Sequence, residues 1–300
     1  MSNKKVLVVG GGFGSERDIS IKTSGNFYRI AKKIFKSVKL MIIDRVDELI
    51  RTLKGFKPSC VINGLHGKFG EDGRLQAILD SLEIPYTGSN AFTSALCMDK
   101  FKSLMLAKSL GFSIPETCLF ELSKPAKTKF PLVVKPNREG SSVGVSIVTS
   151  KIGLENALKI ASQFDSEVLY QEYLRGKEVT VAVVNSRCLE PIEIRPKGTF
   201  YDYEHKYTPG LTEFLLPSSL NSAEKKVLKN ISFKLYKFFK IRQYCRIDFI
   251  WTTEPFLIEV NTLPGFTETS LVPKALQYEG IDIEEFVKEI VETARFDPVR

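Results

Sequence analysis

The chain has 300 residues, 43% of them of hydrophobic type, and a formal net charge of +8. Length alone predicts about two domains with buried cores, and no apolar run approaches the roughly 18 residues that a membrane span needs. The lysines are scattered rather than gathered in one block, so the positive charge indicates a solvated surface and not a nucleic-acid-binding arm. We therefore expect neither nucleic acid nor a membrane as a partner.

The N-terminus and the cysteines predict a cytoplasmic protein. The apolar run after Lys5 is short and ends in glycines, which indicates a first strand rather than a signal peptide. Five cysteines are scattered along the chain without metal-ligand spacing, as is typical of reduced thiols.

Strand-like and helix-like patterns alternate through the first third of the chain. The strand-like runs cover residues 6–9, 38–43 and 60–63, and the helical patterns cover residues 15–34, 46–53 and 73–82. This alternation predicts a parallel sheet with helices on both faces. The glycines after the first strand do not complete a dinucleotide-binding motif, because Ser15 stands at the third glycine position.

The alternation changes near residue 88, where a smaller α+β unit begins. Its predicted helices cover residues 99–110 and 154–164, and its predicted strands cover residues 132–135, 143–148, 168–173 and 178–184. Residues 197–217 contain glycines, prolines and three tyrosines but show no clear period. They predict a long ordered loop, with residues 201–210 as the candidate lid over a site.

The last third is predicted to place two short strands between two helices. Asn221, followed by Glu224 three residues later, predicts a capped start for the first helix, and the final helix begins near Asp282. The strands cover residues 245–250 and 256–260.

These two late strands carry the strongest chemical signal. Side chains alternate between the faces of a strand, so Glu259 and Asn261 share one face, and Arg246 and Asp248 share one face of the neighbouring strand. If the strands pair as a hairpin, the three oxygen-bearing side chains converge beside the arginine. Such a set suits Mg²⁺. The alternative is an ordinary hairpin with two polar surface faces.

A second signal is a strand that delivers Lys135 into a loop rich in glycine and serine. The backbone N–H groups and hydroxyls of such a loop can bind phosphates, although it lacks the pattern of a Walker A loop. An ordinary hairpin turn would explain Gly144 but not a lysine flanked by apolar residues.

With these features, the sequence resembles the D-alanine–D-alanine ligases of the ATP-grasp superfamily from end to end. The matching stretches, in chain order, are GGFGSERDIS (11–20), HGKFGEDG (66–73), PYTGS (85–89), MDK (98–100), VKPNREGSSVG (134–144), GTFYDY (198–203), RID (246–248), EVNTLPG (259–265) and SLVP (270–273). The resemblance implies a Rossmann-like parallel-sheet domain at residues 1–95, followed by two α+β domains at residues 96–178 and 179–300 that enclose ATP.

The family resemblance also implies roles for individual residues. ATP is expected to contact Lys100, Lys135, Ser142, Val143, Gln171, Tyr173, Leu174, Glu178 and Lys206. Two Mg²⁺ ions, with Mn²⁺ able to substitute, are expected at Asp248, Glu259 and Asn261. Arg246 and the Gly265 backbone N–H would stabilise the tetrahedral intermediate. Glu16, held by Ser141 and Tyr207, would bind the amino group of the first D-alanine, with His66 near its carboxylate. The second D-alanine would lie beside Ser270 and Leu271.

The implied reaction joins two D-alanines through a D-alanyl-phosphate, with release of ADP and phosphate, for peptidoglycan precursor synthesis. A homodimer is also expected. Three positions depart from the family pattern: Gln171 replaces an acidic residue, Cys245 a glycine and Leu263 a small residue. The alternatives are another ATP-grasp carboxylate–amine ligase and an inactive nucleotide-binding relative.

Overall fold

A computed structural model describes residues 2–120, 129–197 and 210–298. These residues form a three-stranded parallel sheet, a four-stranded antiparallel sheet and a six-stranded antiparallel sheet. No helix in the described ranges is long and apolar enough to span a bilayer.

The first sheet has the strand order β2-β1-β3, and all of its strands run parallel. The elements of this part are β1 (Ser2–Gly11), α1 (Arg17–Ile34), β2 (Phe35–Ile43), α2 (Val46–Phe56), β3 (Cys60–Asn63) and α3 (Arg74–Ser81). The consecutive residues Val6, Leu7, Val8 and Val9 are fully buried. Burial of successive side chains means that both faces of the sheet are covered, which explains the continuous apolar run.

The middle of the chain begins with two helices and continues into the four-stranded sheet, whose order is β4-β7-β5-β6. Its elements are α4 (Ala91–Met98), α5 (Lys100–Ser109), β4 (Thr117–Leu119), β5 (Leu132–Pro136), β6 (Ser146–Val148), α6 (Leu154–Ser162) and β7 (Val168–Glu172). The strand predicted at residues 143–148 is wrong at its start. Ser141, Ser142 and Gly144 have positive φ values of 51°, 59° and 72°, so the chain turns there and cannot be extended.

The six-stranded sheet has the order β11-β10-β8-β12-β13, with β9 beside β8. Its strands are β8 (Lys177–Val184), β9 (Arg187–Cys188), β10 (Ile192–Pro196), β11 (Thr212–Leu215), β12 (Tyr244–Trp251) and β13 (Pro255–Asn261). The helices of this part are α7 (Ser222–Phe238), α8 (Leu271–Tyr278) and α9 (Ile283–Glu292). The predicted capping box of α7 is present, because Asn221 accepts from the backbone of Glu224 while Glu224 accepts from the backbone of Asn221.

The predicted loop at residues 197–217 is partly wrong. β11 lies within it and pairs with β10, so Phe214 stands opposite Ile194. The sequence pattern missed this strand because only four residues take part. Residues 198–209, which include the predicted lid except Gly210, lie outside the described residues.

A stack of aromatic rings joins α1 to α9. Phe266, just after β13, stacks on Phe27 of α1 at 4.6 Å and on Phe286 of α9 at 5.4 Å between ring centroids. The Asn26 amide also donates to the Phe266 carbonyl at 2.8 Å. All three rings are buried, so the loop that carries Gly265 is fixed against α1.

Candidate active site

A cavity of about 300 Å³ opens between residues of the two antiparallel sheets and residues that follow β1 and β3 of the parallel sheet. This volume lies at the lower end of the range for small-molecule sites. The predicted site residues that line it are Glu16, His66, Lys100, Lys135, Ser141, Ser142, Val143, Gln171, Tyr173, Leu174, Glu178, Arg246, Asp248, Glu259, Asn261, Gly265 and Leu271.

Of the predicted site residues that the structure describes, only Ser270 is not in this lining. The Ser270 hydroxyl accepts from the Thr267 backbone at 2.9 Å and shares a hydrogen bond with the Thr267 hydroxyl at 2.8 Å. It therefore closes the turn before α8, and its neighbour Leu271 reaches the cavity. Lys206 and Tyr207 lie outside the described residues.

The hairpin of β12 and β13 brings the predicted metal-binding side chains together. Asp248 stands opposite Glu259, and Arg246 stands opposite Asn261. The Asn261 amide lies 3.0 Å from an Asp248 carboxylate oxygen and 3.4 Å from a Glu259 oxygen. The hairpin is therefore not an ordinary surface turn, because its polar face lines the cavity.

Asp248 is held by several donors. The Thr180 hydroxyl donates to Oδ1 at 2.5 Å, and the Arg246 guanidinium donates to Oδ1 at 2.9 Å and to Oδ2 at 2.8 Å. With the Asn261 amide, these donors take all four lone-pair positions of the carboxylate. A cation bound by Asp248 would compete with Arg246 for this carboxylate.

The donor set fits a hard divalent cation. Two carboxylates and one amide oxygen are the ligand types that Mg²⁺ prefers, and such a site leaves positions for water and phosphate. The amide oxygen of Asn261 can replace its nitrogen by rotation of the side chain. Among the described residues, no group of three or more His, Cys, Asp or Glu side chains forms another candidate metal site.

Two lysines bring positive charge to the cavity from separate elements. Lys100, the first residue of α5, lies 3.3 Å from a Glu259 oxygen and donates to the Glu139 carbonyl at 2.5 Å. Lys135, at the end of β5, donates to the Gln171 side-chain oxygen at 2.8 Å. Both lysines are buried. Buried ammonium groups in a cavity favour an anionic ligand, because the ligand compensates for lost hydration.

Glu16 also lines the cavity, next to the glycine- and serine-rich loop. The Ser141 hydroxyl donates to its Oε1. A Cβ atom on Gly140 would lie 2.4 Å from the Glu16 Oε2 atom, and one on Gly67 would lie 2.9 Å from it. The two glycines therefore let the backbone approach a buried carboxylate that can bind an ammonium group.

Glu71 and Glu139 also line the cavity, although neither was predicted as a site residue. The His66 ring lies 3.3 Å from a Glu71 oxygen through Nδ1 and 2.8 Å from the Thr23 hydroxyl through Nε2. Burial raises the pKa of the Glu71 carboxyl, and the hydrogen bond with His66 opposes that shift. Both glutamates lie in stretches that resemble the family. They are on loops, however, where the alternation of side chains along a strand cannot predict which way a side chain points.

Comparisons with known proteins agree with this geometry. The family model described as D-ala D-ala ligase C-terminus matches residues 112–292. A D-alanine–D-alanine ligase from Aquifex aeolicus is 39% identical over 294 residues, which cover 96% of this chain and 99% of that protein. One from Thermotoga petrophila is 37% identical over 297 residues, with 97% of each chain covered.

A solved structure shows the same fold. The crystal structure of a D-alanine–D-alanine ligase from Bacillus anthracis complexed with ATP has a TM-score of 0.83 and 33% identity, covering 98% of this chain and 97% of that one. The predicted ATP-grasp architecture, with one parallel sheet and further α+β parts, is confirmed. The chain is therefore an ATP-dependent ligase that belongs to the D-alanine–D-alanine ligase family.

Proposed function

We propose that this chain joins two D-alanines into D-alanyl-D-alanine through a D-alanyl-phosphate, with ADP and phosphate released, for peptidoglycan precursor synthesis. The observation that carries the proposal is one cavity with two poles. Lys100, Lys135 and the β12–β13 hairpin form a pole for a polyphosphate, and Glu16 forms a pole for an ammonium group.

Activation of the donor needs charge neutralisation and positioning more than covalent help. A carboxylate oxygen of the first D-alanine attacks the γ-phosphorus of ATP, and the bond from that phosphorus to ADP breaks. Lys100 and Lys135 would neutralise the phosphates, while Ser142 and Val143 would cover them. Gln171, Tyr173, Leu174 and Glu178 would hold adenine and ribose, and Lys206 of the predicted lid would approach the nucleotide.

Peptide bond formation follows on the same acyl carbon. The neutral amine of the second D-alanine attacks, the carbon–phosphate oxygen bond breaks, and the amine loses a proton. Arg246 and the Gly265 N–H would stabilise the oxyanion, since fixed donors act strongly in a site shielded from water. Glu16, with Ser141 and Tyr207, would orient the donor, and His66 would bind its carboxylate. Ser270 and Leu271 would border the acceptor.

We also propose the cation and the organisation of the protein. Asp248, Glu259 and Asn261 would hold two Mg²⁺ ions, with Mn²⁺ as a substitute, and the ions would neutralise the phosphate oxygens. We further propose domains at residues 1–95, 96–178 and 179–300, a homodimer and a cytoplasmic location.

Substitution of Gly140 by alanine tests the donor pole. The new methyl group would lie 2.4 Å from the Glu16 carboxylate, so that either this side chain or the loop must move. We expect kcat/KM for D-alanine to fall between about 10-fold and 10²-fold, because small misplacements of binding groups reduce rates strongly. The control is Gly55→Ala in α2, where no atom lies within 4 Å of the new Cβ. Equal kinetics of the two variants would contradict the assignment of Glu16.

Product analysis tests the proposed function directly. The protein would be incubated with ATP, Mg²⁺ and a panel of D- and L-amino acids, and the products identified by mass. We expect D-alanyl-D-alanine and phosphate release that depends on D-alanine. Phosphate release with another carboxylate–amine pair would show a different ATP-grasp ligase, and nucleotide binding without turnover would show an inactive relative.

A further inference from the structure

Glu139 is a buried carboxylate that the proposed reaction does not use. It lies on the glycine- and serine-rich loop, two residues before Ser141, and its side chain is only 3% exposed. A buried carboxylate without partners is costly, so its contacts reveal what holds it in place.

Both side-chain partners of Glu139 come from a distant part of the sequence. Lys68 lies 2.9 Å from Oε1, and the Ser15 hydroxyl donates to Oε2 at 2.8 Å. These partners follow β3 and β1 of the parallel sheet, whereas Glu139 follows β5 of the four-stranded sheet. The carboxylate therefore joins two parts of the molecule that are far apart in sequence.

Lys68 and the residue next to Glu139 make further contacts with the segment after α6. Lys68 also donates to the Phe164 carbonyl at 2.7 Å, just after α6. Arg138, the residue before Glu139, pairs with Asp165 at 2.9 Å. The loop is therefore held to the segment after α6 through Arg138, and to the segments after β1 and β3 through Glu139.

The position of Glu139 bears on both poles of the cavity. Its backbone carbonyl accepts from Lys100, and Ser141, two residues on, donates to Glu16. Ser141 and Ser142 hold positive φ values, a conformation that persists only where neighbouring contacts enforce it. The contacts of Glu139 with Lys68 and Ser15, here called the Glu139 anchor, lie just before these two residues and are of that kind.

We propose that Glu139, through its ion pair with Lys68, is a positioning residue that couples nucleotide binding to binding of the donor amino acid. This inference rests on the proposed function, because the two ligands are those of the ligase reaction. With the anchor in place, the nucleotide orders the loop that also completes the Glu16 site. Each ligand then increases the affinity for the other by the same factor, as linkage requires.

The test measures that factor by calorimetry. An ATP analogue with a non-transferable γ-phosphate is titrated with Mg²⁺ into the full chain, with and without D-alanine. We expect D-alanine to tighten binding of the analogue in the unaltered protein by a factor between about 5 and 150. In Glu139→Gln and Lys68→Met the factor should approach one, and the double variant should match the single ones, since they break the same contact. Lys68→Arg keeps the positive charge of the side chain and should retain most of the coupling factor.

The matched control is Glu190→Gln. Glu190 is likewise held by two side-chain donors, here Lys225 and Lys229 at 2.8 Å each, but it does not line the cavity. The Glu190→Gln variant should lose about as much stability as Glu139→Gln but keep the coupling factor of the unaltered protein. If Glu139→Gln fails to fold, Lys68→Met replaces it, because Lys68 is 43% exposed.

Two results would overturn the inference: no coupling in the unaltered protein, or unchanged coupling in both Lys68→Met and Glu139→Gln. Neither result touches the proposed function, which fails only if the unaltered protein makes no D-alanyl-D-alanine.

Discussion

Replacement of Arg246 by alanine is expected to lower kcat by about 10²–10³-fold, the effect of removing one oxyanion donor from a preorganised site. The guanidinium is held beside the cavity by two hydrogen bonds to Asp248, so its donors are fixed before substrate binds. The loss should appear in kcat more than in the KM for D-alanine, because the oxyanion is absent from the bound substrates and develops only on the way to the tetrahedral intermediate.

The control for this prediction is Arg187→Ala. Arg187 also pairs with a carboxylate, that of Glu279, but its side chain is 60% exposed and it does not line the cavity. We expect nearly unchanged kinetics for this variant. If folded Arg246→Ala loses less than tenfold in kcat, Arg246 is not the oxyanion donor.

Replacement of Asp248 by asparagine is the second large expected effect. The carboxylate supplies negative charge to the proposed cation site and accepts from Thr180, Arg246 and Asn261. Asparagine has nearly the same shape but no charge. We expect kcat to fall by about 10²–10³-fold, a loss comparable to that of a charge-stabilising group in the transition state. Affinity for Mn²⁺ should fall by more than about tenfold, since even groups outside the ligand shell have effects of that size.

Mn²⁺ binding would be followed by electron paramagnetic resonance in the presence of ADP, a measurement that does not depend on turnover. Asp47→Asn serves as the control, because Asp47 also pairs with arginines but lies in the first turn of α2, outside the cavity lining. Equal Mn²⁺ affinity in Asp248→Asn and the unaltered protein would remove Asp248 from the proposed metal site.

The sequence predicted much of the fold because its local patterns are strong. The buried run of β1, the capping box of α7 and the alternation along β12 and β13 each depend on neighbouring residues only. That alternation also predicted that Asp248, Glu259 and Asn261 would meet, since an antiparallel hairpin places facing residues side by side. β11 was missed because its four residues are too few to show a period.

What the sequence determined by itself was therefore the identity and order of most elements, the polar face of one hairpin and the motifs of the family. Only the tertiary structure decided which side chains meet across distant segments. Glu139 reaches Lys68 and Ser15, and Phe266 stacks between Phe27 and Phe286. No periodicity encodes these contacts, because they depend on how separately formed sheets and helices pack, and that packing is set by the burial of apolar surface over the whole chain.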